Sequence, residues 1–429
     1  MGEASWTERD AAVVWHGFTP MAAFTGSAPV VVERAEGREL IDVDGRRLLD
    51  AISSLWVTTL GHRVPELDAA IQDQLARVAH STLLGHGNRT VIELAEALAA
   101  VVPVDRPHFL FASDGASAVE QALKLAFQFW ANQGAAGRDR YLTLANAYHG
   151  DTVGALSLGA GGFGTELFDP LRFPVLRAPG YDDPAWLAGA LALLEANHQC
   201  LAAVVVEPLV QGAAGMLTAR PADVAALGRA CREYGVLLIA DEVATGFGRT
   251  GTLFASEQCR LRPDLLCLGK GLTGGYLPMS ATVANHRVYE AFLGPDLSPV
   301  TFHHGHSYGG NALAAAVAHR HLELIGEWGV LANVTQRSAQ LEAGLAERVV
   351  PLEAVGAARV SGLMAGVELA PPAGGLRWGR KVCAAAVARG VLLRPLGDVV
   401  VIMPMLTSTA EEIDRIVGTL AEAIAEACQ

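Results

Sequence analysis

Two polar residues close apolar runs of the kind that form buried strands. Asp241 ends Val236-Leu-Leu-Ile-Ala-Asp241-Glu242, and Lys270 ends Asp264-Leu-Leu-Cys-Leu-Gly-Lys270-Gly271. In open α/β sheets, ligand-binding side chains gather at the carboxyl ends of strands. An isolated Asp there serves equally well as a helix cap or ion-pair partner, and an isolated Lys usually snorkels to the surface. The pair shifts the balance. Gly269 and Gly271 strip side-chain bulk from both flanks of Lys270, which is the clearance an amine needs to condense with a carbonyl. The two positions lie 29 residues apart (270 minus 241), a gap that fits one crossover between strands.

An amine and a carboxylate so placed match the two needs of pyridoxal phosphate. Its aldehyde forms a Schiff base with a lysine, and its pyridinium nitrogen is kept protonated by an anion. A carboxylate about 4 Å from a cation, at an effective dielectric near 20, gives roughly 4 kcal/mol of gross attraction. That is about three pKa units, enough to hold the ring nitrogen charged at neutral pH. Ser113-Asp114-Gly115-Ala116-Ser117 lies between a strand pattern and a helix pattern, where backbone N–H groups and the helix dipole favour a phosphate. Alone, the same string describes an ordinary capped helix start. Tyr148-His149-Gly150-Asp151 follows another strand and offers a ring for stacking, or a purely structural Tyr-His pair. His303, His304 and His306 lack the Cys or paired carboxylates that would complete a coordination set, so no metal is expected.

These residues need a scaffold, and the chain is long enough to build one. Its 429 residues imply two or three lobes, and 51% apolar against 18% charged residues implies a large interior. Lys plus Arg is 32 and Asp plus Glu is 45, a net charge of -13 that argues against nucleic acid. Cys200, Cys231, Cys259, Cys267, Cys383 and Cys428 are scattered and read as reduced core thiols. With no signal-peptide pattern at the N-terminus and no membrane-length apolar run, a soluble cytoplasmic protein without a membrane partner is expected.

Strand patterns at 30–33, 39–43 and 48–52, separated by turns at Gly37 and Gly45, suggest a meander, followed by helices over 66–79 and 91–100. From Phe109 the pattern becomes short apolar runs (109–112, 141–145, 202–206, 236–240, 265–268) with amphipathic segments between them, among them a helix over 116–130. Continuous apolar strands imply burial on both faces, hence an α/β fold with a mainly parallel sheet. Gly-rich turns at 160–162 and 273–275 interrupt it. Helices over 312–327 and 331–348, a strand over 361–369, a helix over 378–389, strands near Val391 and Val399 and a last helix with Ile413, Ile416, Leu420 and Ile424 on one face suggest a smaller α+β lobe. The expected division is 1–65 as an N-terminal segment of the small domain, 66–310 as the large domain and 311–429 as the C-terminal small domain.

The order of motifs resembles the class III aminotransferases over nearly the whole chain. Ser113-Asp-Gly-Ala-Ser, Ala147-Tyr-His-Gly-Asp151, Glu207-Pro208, the run from Asp241 through Arg249 to Gly251, Gly269-Lys-Gly271 and His304-Gly-His-Ser-Tyr308 occur in sequence. The resemblance implies a fold-type I transferase that uses pyridoxal 5'-phosphate. Trp15-His16, Ser53-Ser54 with Trp56, His80 to Leu84, Leu393-Arg394-Pro395 and Met403-Pro404 resemble the branch that aminates 8-amino-7-oxononanoate on the way to biotin.

By that resemblance, Gly115 and Ala116 hold the phosphate, and Ser307 reaches the phosphate of a neighbouring subunit, which makes a homodimer with shared active sites the expected unit. Tyr148 and Val243 cover the two ring faces, Glu207 supports Asp241, and Lys270 is anchor and proton carrier. Trp56, Arg249 and Phe18 line the substrate pocket, and Arg394 grips the carboxylate of the keto substrate, a task suited to a planar guanidinium. The chain departs from the pattern at Gly17-Phe18, where Pro-Tyr is common, and at Leu55, Val401 and His306-Ser307. The donor is left open between S-adenosylmethionine and lysine. Another ω-amino acid transaminase, an aminomutase, or a non-enzymatic ligand-binding α/β protein are the alternatives.

Overall fold

A computed structural model of the chain describes residues 4–27, 29–159, 165–372 and 377–428. Its centre is a seven-stranded sheet in the order His108–Ala112, Ser280–Ala284, Leu265–Leu268, Leu237–Asp241, Leu201–Val206, Arg140–Leu144, Leu176–Ala178. The pairs are parallel except at Ser280–Ala284, which runs antiparallel to both neighbours. The middle strands are buried throughout, as expected of uninterrupted apolar sequence with helices on both faces.

The helix Gly115–Asn132 opens directly after the strand His108–Ala112. Asp114 caps it, accepting a hydrogen bond from the Ser117 N–H at 2.9 Å. The last helix, Ala410–Ala427, starts with a Thr409/Glu412 capping box and buries Ile413, Ile416, Leu420 and Ile424 on one face.

The N-terminal meander forms as Val32–Glu36, Glu39–Asp42 and Arg47–Asp50, and Val391–Leu392 from far along the chain adds to it in parallel. A second small sheet holds Val355–Ser361, Met364–Leu369, Val399–Ile402 and Arg394–Leu396. The strand expected over 361–369 is present as Met364–Leu369, the second arm of a hairpin with Val355–Ser361. Its turn falls at Gly362, whose φ of +63 suits glycine and where a Cβ would collide with the Arg249 carbonyl. The helix Ala312–Glu327 packs on the helices Pro65–Leu75 and Arg89–Ala99 and on the Lys270–Thr273 turn, so one apolar core runs from Leu67 and Leu94 through Leu268 to Ile413. The turn at 273–275 is present, with Gly274 and Gly275 both at positive φ. The turn expected at 160–162 lies outside the described residues.

Candidate active site

Sheet register places the chemistry. Asp241 pairs with Cys267 and Ala240 with Val206, so Asp241, Glu207 and Lys270 emerge together at the carboxyl ends of three adjacent parallel strands. Asp241 is held from two sides. Its Oδ2 accepts from His149 Nδ1 at 2.7 Å and its Oδ1 from the Val243 N–H at 3.0 Å. Burial disfavours the His149 imidazolium, yet the Asp241 hydrogen bond and charge, with Glu207 beyond, raise its pKa overall. His149 Nε2 is buried with no hydrogen-bond partner among the described residues.

Glu207 accepts from the Tyr148 N–H at 3.1 Å and the Gly212 N–H at 3.2 Å, fixing the Tyr148 loop over the strand ends. The Tyr148 hydroxyl donates to Asp151. Burial drives the Glu207 carboxyl up to about 7, against the opposing pull of His149.

Lys270 follows Gly269 with φ +37, a left-handed conformation that a lysine rarely adopts and that marks stored backbone strain. Its amine lies deep enough that burial lowers its pKa, although the Asp241, Glu207 and Asp151 charges pull the other way. Nζ sits 5.5 Å from the centre of the Trp56 ring. Trp56 is itself 6% exposed, and its Nε1 is buried with no hydrogen-bond partner among the described residues.

Close packing accounts for the glycines. A Cβ on Gly115 would lie 2.6 Å from Val243 Cγ1, and one on Gly269 would lie 3.2 Å from the same atom and 3.5 Å from Gly115 Cα. Gly115, Val243 and Gly269 thus meet at one point, which brings the N-terminus of an 18-residue helix beside the Lys270 strand end. The N–H groups there point away from the helix body, a position suited to a phosphate. Gly150 lies against Ala116 and completes the floor.

These residues fit pyridoxal phosphate on their own geometry. The partly desolvated amine beside the Trp56 ring, the held carboxylate and the helix N-terminus gather at one end of the sheet. The structure thus brings together Lys270, Asp241, Glu207, Tyr148, Val243, Gly115, Ala116 and Trp56. Arg394, on the strand Arg394–Leu396, is half-buried, and its guanidinium has no hydrogen-bond partner among the described residues. Three further expected site residues lie outside this group in the single chain. Arg249 is 1% exposed; Nη1 donates to the Pro404 carbonyl at 2.6 Å and Nη2 to Thr58 at 3.0 Å, so it ties two loops together beneath the site, and burial lowers its pKa to about 9. Ser307 is exposed, and its carbonyl accepts from His80 Nε2. Phe18 is 61% exposed on the N-terminal segment. His149 received no role from the sequence, because its partner lies 92 residues away and the Tyr-His string does not encode that contact.

The class III aminotransferase family model matches residues 21–424. The chain belongs to the class III aminotransferases. It is 45% identical to the adenosylmethionine-8-amino-7-oxononanoate aminotransferase of Nitratidesulfovibrio vulgaris over 97% of this chain and 80% of that one. It is 40% identical to the like-named protein of Anoxybacillus flavithermus over 98% and 96%. The crystal structure of the like-named enzyme from Methanocaldococcus jannaschii superposes with a TM-score of 0.95 at 37% identity, covering 98% of both chains. An amine transaminase from an uncultivated Pseudomonas species, in its PLP-bound form, superposes with a TM-score of 0.91 at 34% identity over 97% and 99%. This class III aminotransferase is a PLP-dependent transaminase with the fold-type I architecture that the resemblance implied, built on the mainly parallel sheet expected from its strand pattern. No described helix is long and apolar enough to cross a membrane, and no described group of His, Cys, Asp and Glu has the arrangement to hold a metal ion.

The acid cluster carries a pH signature. The Glu207 carboxyl is raised from 4.5 to about 7, so the folded state binds more protons than the unfolded chain within that window. Its contribution to stability is lost as pH rises from about 4.5 to 7. The raised His149 value works in the same direction, present below its unfolded value and lost as pH climbs through the folded one. Glu207→Gln is therefore expected to gain stability relative to the unmodified protein between pH 5 and pH 8. Urea denaturation at both values checks this; a constant difference contradicts it.

Proposed function

We propose that this chain aminates 8-amino-7-oxononanoate to 7,8-diaminononanoate in biotin biosynthesis. The observation that carries the reading is the meeting of Lys270, Asp241 and Trp56 at one sheet end, in a chain that matches enzymes of that name over nearly its whole length. The residue roles, the donor and the assembly below belong to the same proposal.

Pyridoxal phosphate, when bound, supplies the carbonyl that takes up an amine and the ring that stores the electron pair released at carbon. The chain does the rest. Asp241, oriented by His149 and Val243, would supply the negative charge that keeps the ring nitrogen protonated. Gly115 and Ala116 present N–H groups to the phosphate. Lys270 Nζ first anchors the coenzyme. Its amine would be the group that takes a proton from the donor's amine-bearing carbon and delivers one to C7 of the keto substrate. Burial lowers its pKa and so favours the neutral amine that this task needs.

Arg394 offers unused donors to the keto acid's carboxylate. Hydrogen bonds to charged groups contribute about 1.5–3 kcal/mol, so Arg394→Ala is expected to raise KM for 8-amino-7-oxononanoate roughly tenfold to a hundredfold. Steady-state kinetics checks this, and an unchanged KM rules out the assignment. Ser307 serves the phosphate of a second copy in a homodimer, a reading its exposure on one chain supports. The six unpaired cysteines suit a reducing cytoplasm.

The donor is S-adenosylmethionine or lysine. Purified protein with 8-amino-7-oxononanoate, offered each donor in parallel, tests the function through the diamine formed. No diamine from either donor overturns it. The likeness to an amine transaminase supports a second reading, an ω-amino acid transaminase of broader substrate range, which that outcome would favour.

A further inference from the structure

The segment from Asp50 to Thr59 carries more backbone strain than any other stretch touching the site. Ser53, Ser54 and Trp56 have φ values of 50, 60 and 68, three non-glycine residues in the left-handed region within four positions. Such residues persist only where the surroundings over-determine them. Here one buried carboxylate does so. Asp50 is 1% exposed, and its Oδ1 accepts from the Ser54 N–H at 3.0 Å while its Oδ2 accepts from Ser54 Oγ at 2.9 Å. The imidazole of His62, from the far side of the same loop, reaches Oδ2 at 3.1 Å. Ser53 Oγ donates to the Met403 carbonyl at 2.7 Å, and Arg249 grips the Thr58 carbonyl.

The loop leads directly to the reacting centre. Trp56 at its crest places its ring 5.5 Å from Lys270 Nζ. Thr58 and Thr59 press on the turn that follows Lys270, since a Cβ on Gly275 would lie 2.7–2.9 Å from Thr58 atoms and one on Gly271 would lie 3.3 Å from Thr59 Cγ2.

We propose that Asp50, with Ser54 and His62, is a positioning residue: it clamps the Ser53–Trp56 backbone, positive in φ at Ser53, Ser54 and Trp56, so that the indole forms a fixed wall where the keto substrate meets Lys270. This rests on the reading of Trp56 as a substrate-pocket residue. Asp50→Asn cannot accept every hydrogen bond that the carboxylate accepts, because one oxygen becomes a donor. The clamp loosens while the coenzyme's own contacts stay in place.

The test uses the coenzyme-loaded protein with two readouts. In Asp50→Asn, KM for 8-amino-7-oxononanoate is expected to rise about tenfold, on the scale of lost hydrogen bonds to a charge. Coenzyme absorbance and kcat stay within about twofold, the pattern of lost substrate positioning. Adding Ser54→Gly restores most of the KM, because glycine adopts φ near +60 without strain. The second readout is acrylamide quenching of the Trp56 emission, isolated by subtracting a Trp56→Phe protein. Trp56 is shielded in the native chain and becomes accessible in Asp50→Asn. Unchanged KM with unchanged shielding overturns the proposal. So does a parallel loss of KM, kcat and coenzyme with a lowered Tm that Ser54→Gly does not rescue, which marks a general role in folding. Where Asp50→Asn does not fold, Ser54→Ala removes one bond only and is expected to move both readouts in the same direction; no movement overturns the clamp. If the native chain fails to aminate this keto acid, the substrate reading falls, while the quenching comparison still decides the clamp.

Discussion

Lys270→Ala is expected to abolish amino transfer, with turnover falling about ten-thousand-fold or more. Two losses combine in this variant. The amine that anchors the coenzyme disappears, and so does the base that moves the proton at the reacting carbon, a role worth roughly a hundredfold to ten-thousand-fold by itself. No neighbour replaces it. The chain has three lysines, Lys124, Lys270 and Lys381. Lys124 lies on the helix Gly115–Asn132 with its amine 3.1 Å from His304, and Lys381 lies on the helix Trp378–Ala388. Diamine formation assayed with saturating coenzyme checks the prediction; activity within tenfold of the native protein contradicts it.

Asp241→Asn is expected to lower kcat by roughly a thousandfold while leaving KM for the keto substrate within a few-fold. The estimate follows from about 4 kcal/mol of gross attraction between a carboxylate and a protonated ring nitrogen at 4 Å, with each 1.4 kcal/mol worth about tenfold in rate. The structure adds a second cost. His149 Nδ1 and the Val243 N–H each direct a hydrogen at a separate oxygen of Asp241. An amide has one oxygen, so one buried donor loses its acceptor. Stopped-flow measurement of both half-reactions separates the effects, since each depends on the ring charge. A normal rate in either half-reaction counts against the role.

The parts of this site that were legible in sequence share one physical cause. Runs such as 201–206, 237–240 and 265–268 are apolar without interruption because both faces are covered, so the polar residue that follows each run stands out. The same contrast hid other elements. Ser280–Ala284 is built of small residues, and Leu176–Ala178 is a three-residue edge, so neither shows as a strand despite completing the sheet. Val355–Ser361 is rich in Gly and Ala and escaped notice for the same reason. Arg249 shows a different limit. A charged side chain reads as exposed until the Thr58 and Pro404 carbonyls that receive it are known, and those lie 191 and 155 residues away in the chain. The His149–Asp241 bond and the Asp50 clamp are likewise tertiary facts, set by where loops meet above the sheet.

The central claim is that one amine, Lys270, binds the coenzyme, and reduction of the loaded protein tests it most directly. Borohydride converts a lysine–coenzyme linkage to a stable amine, and with three lysines in the chain a proteolytic digest read by mass spectrometry has few possible outcomes. The pyridoxyl label is expected on the peptide that contains Lys270 and on no other. A label on Lys124 or Lys381, or a protein that holds the coenzyme yet gives no labelled lysine, would contradict the account.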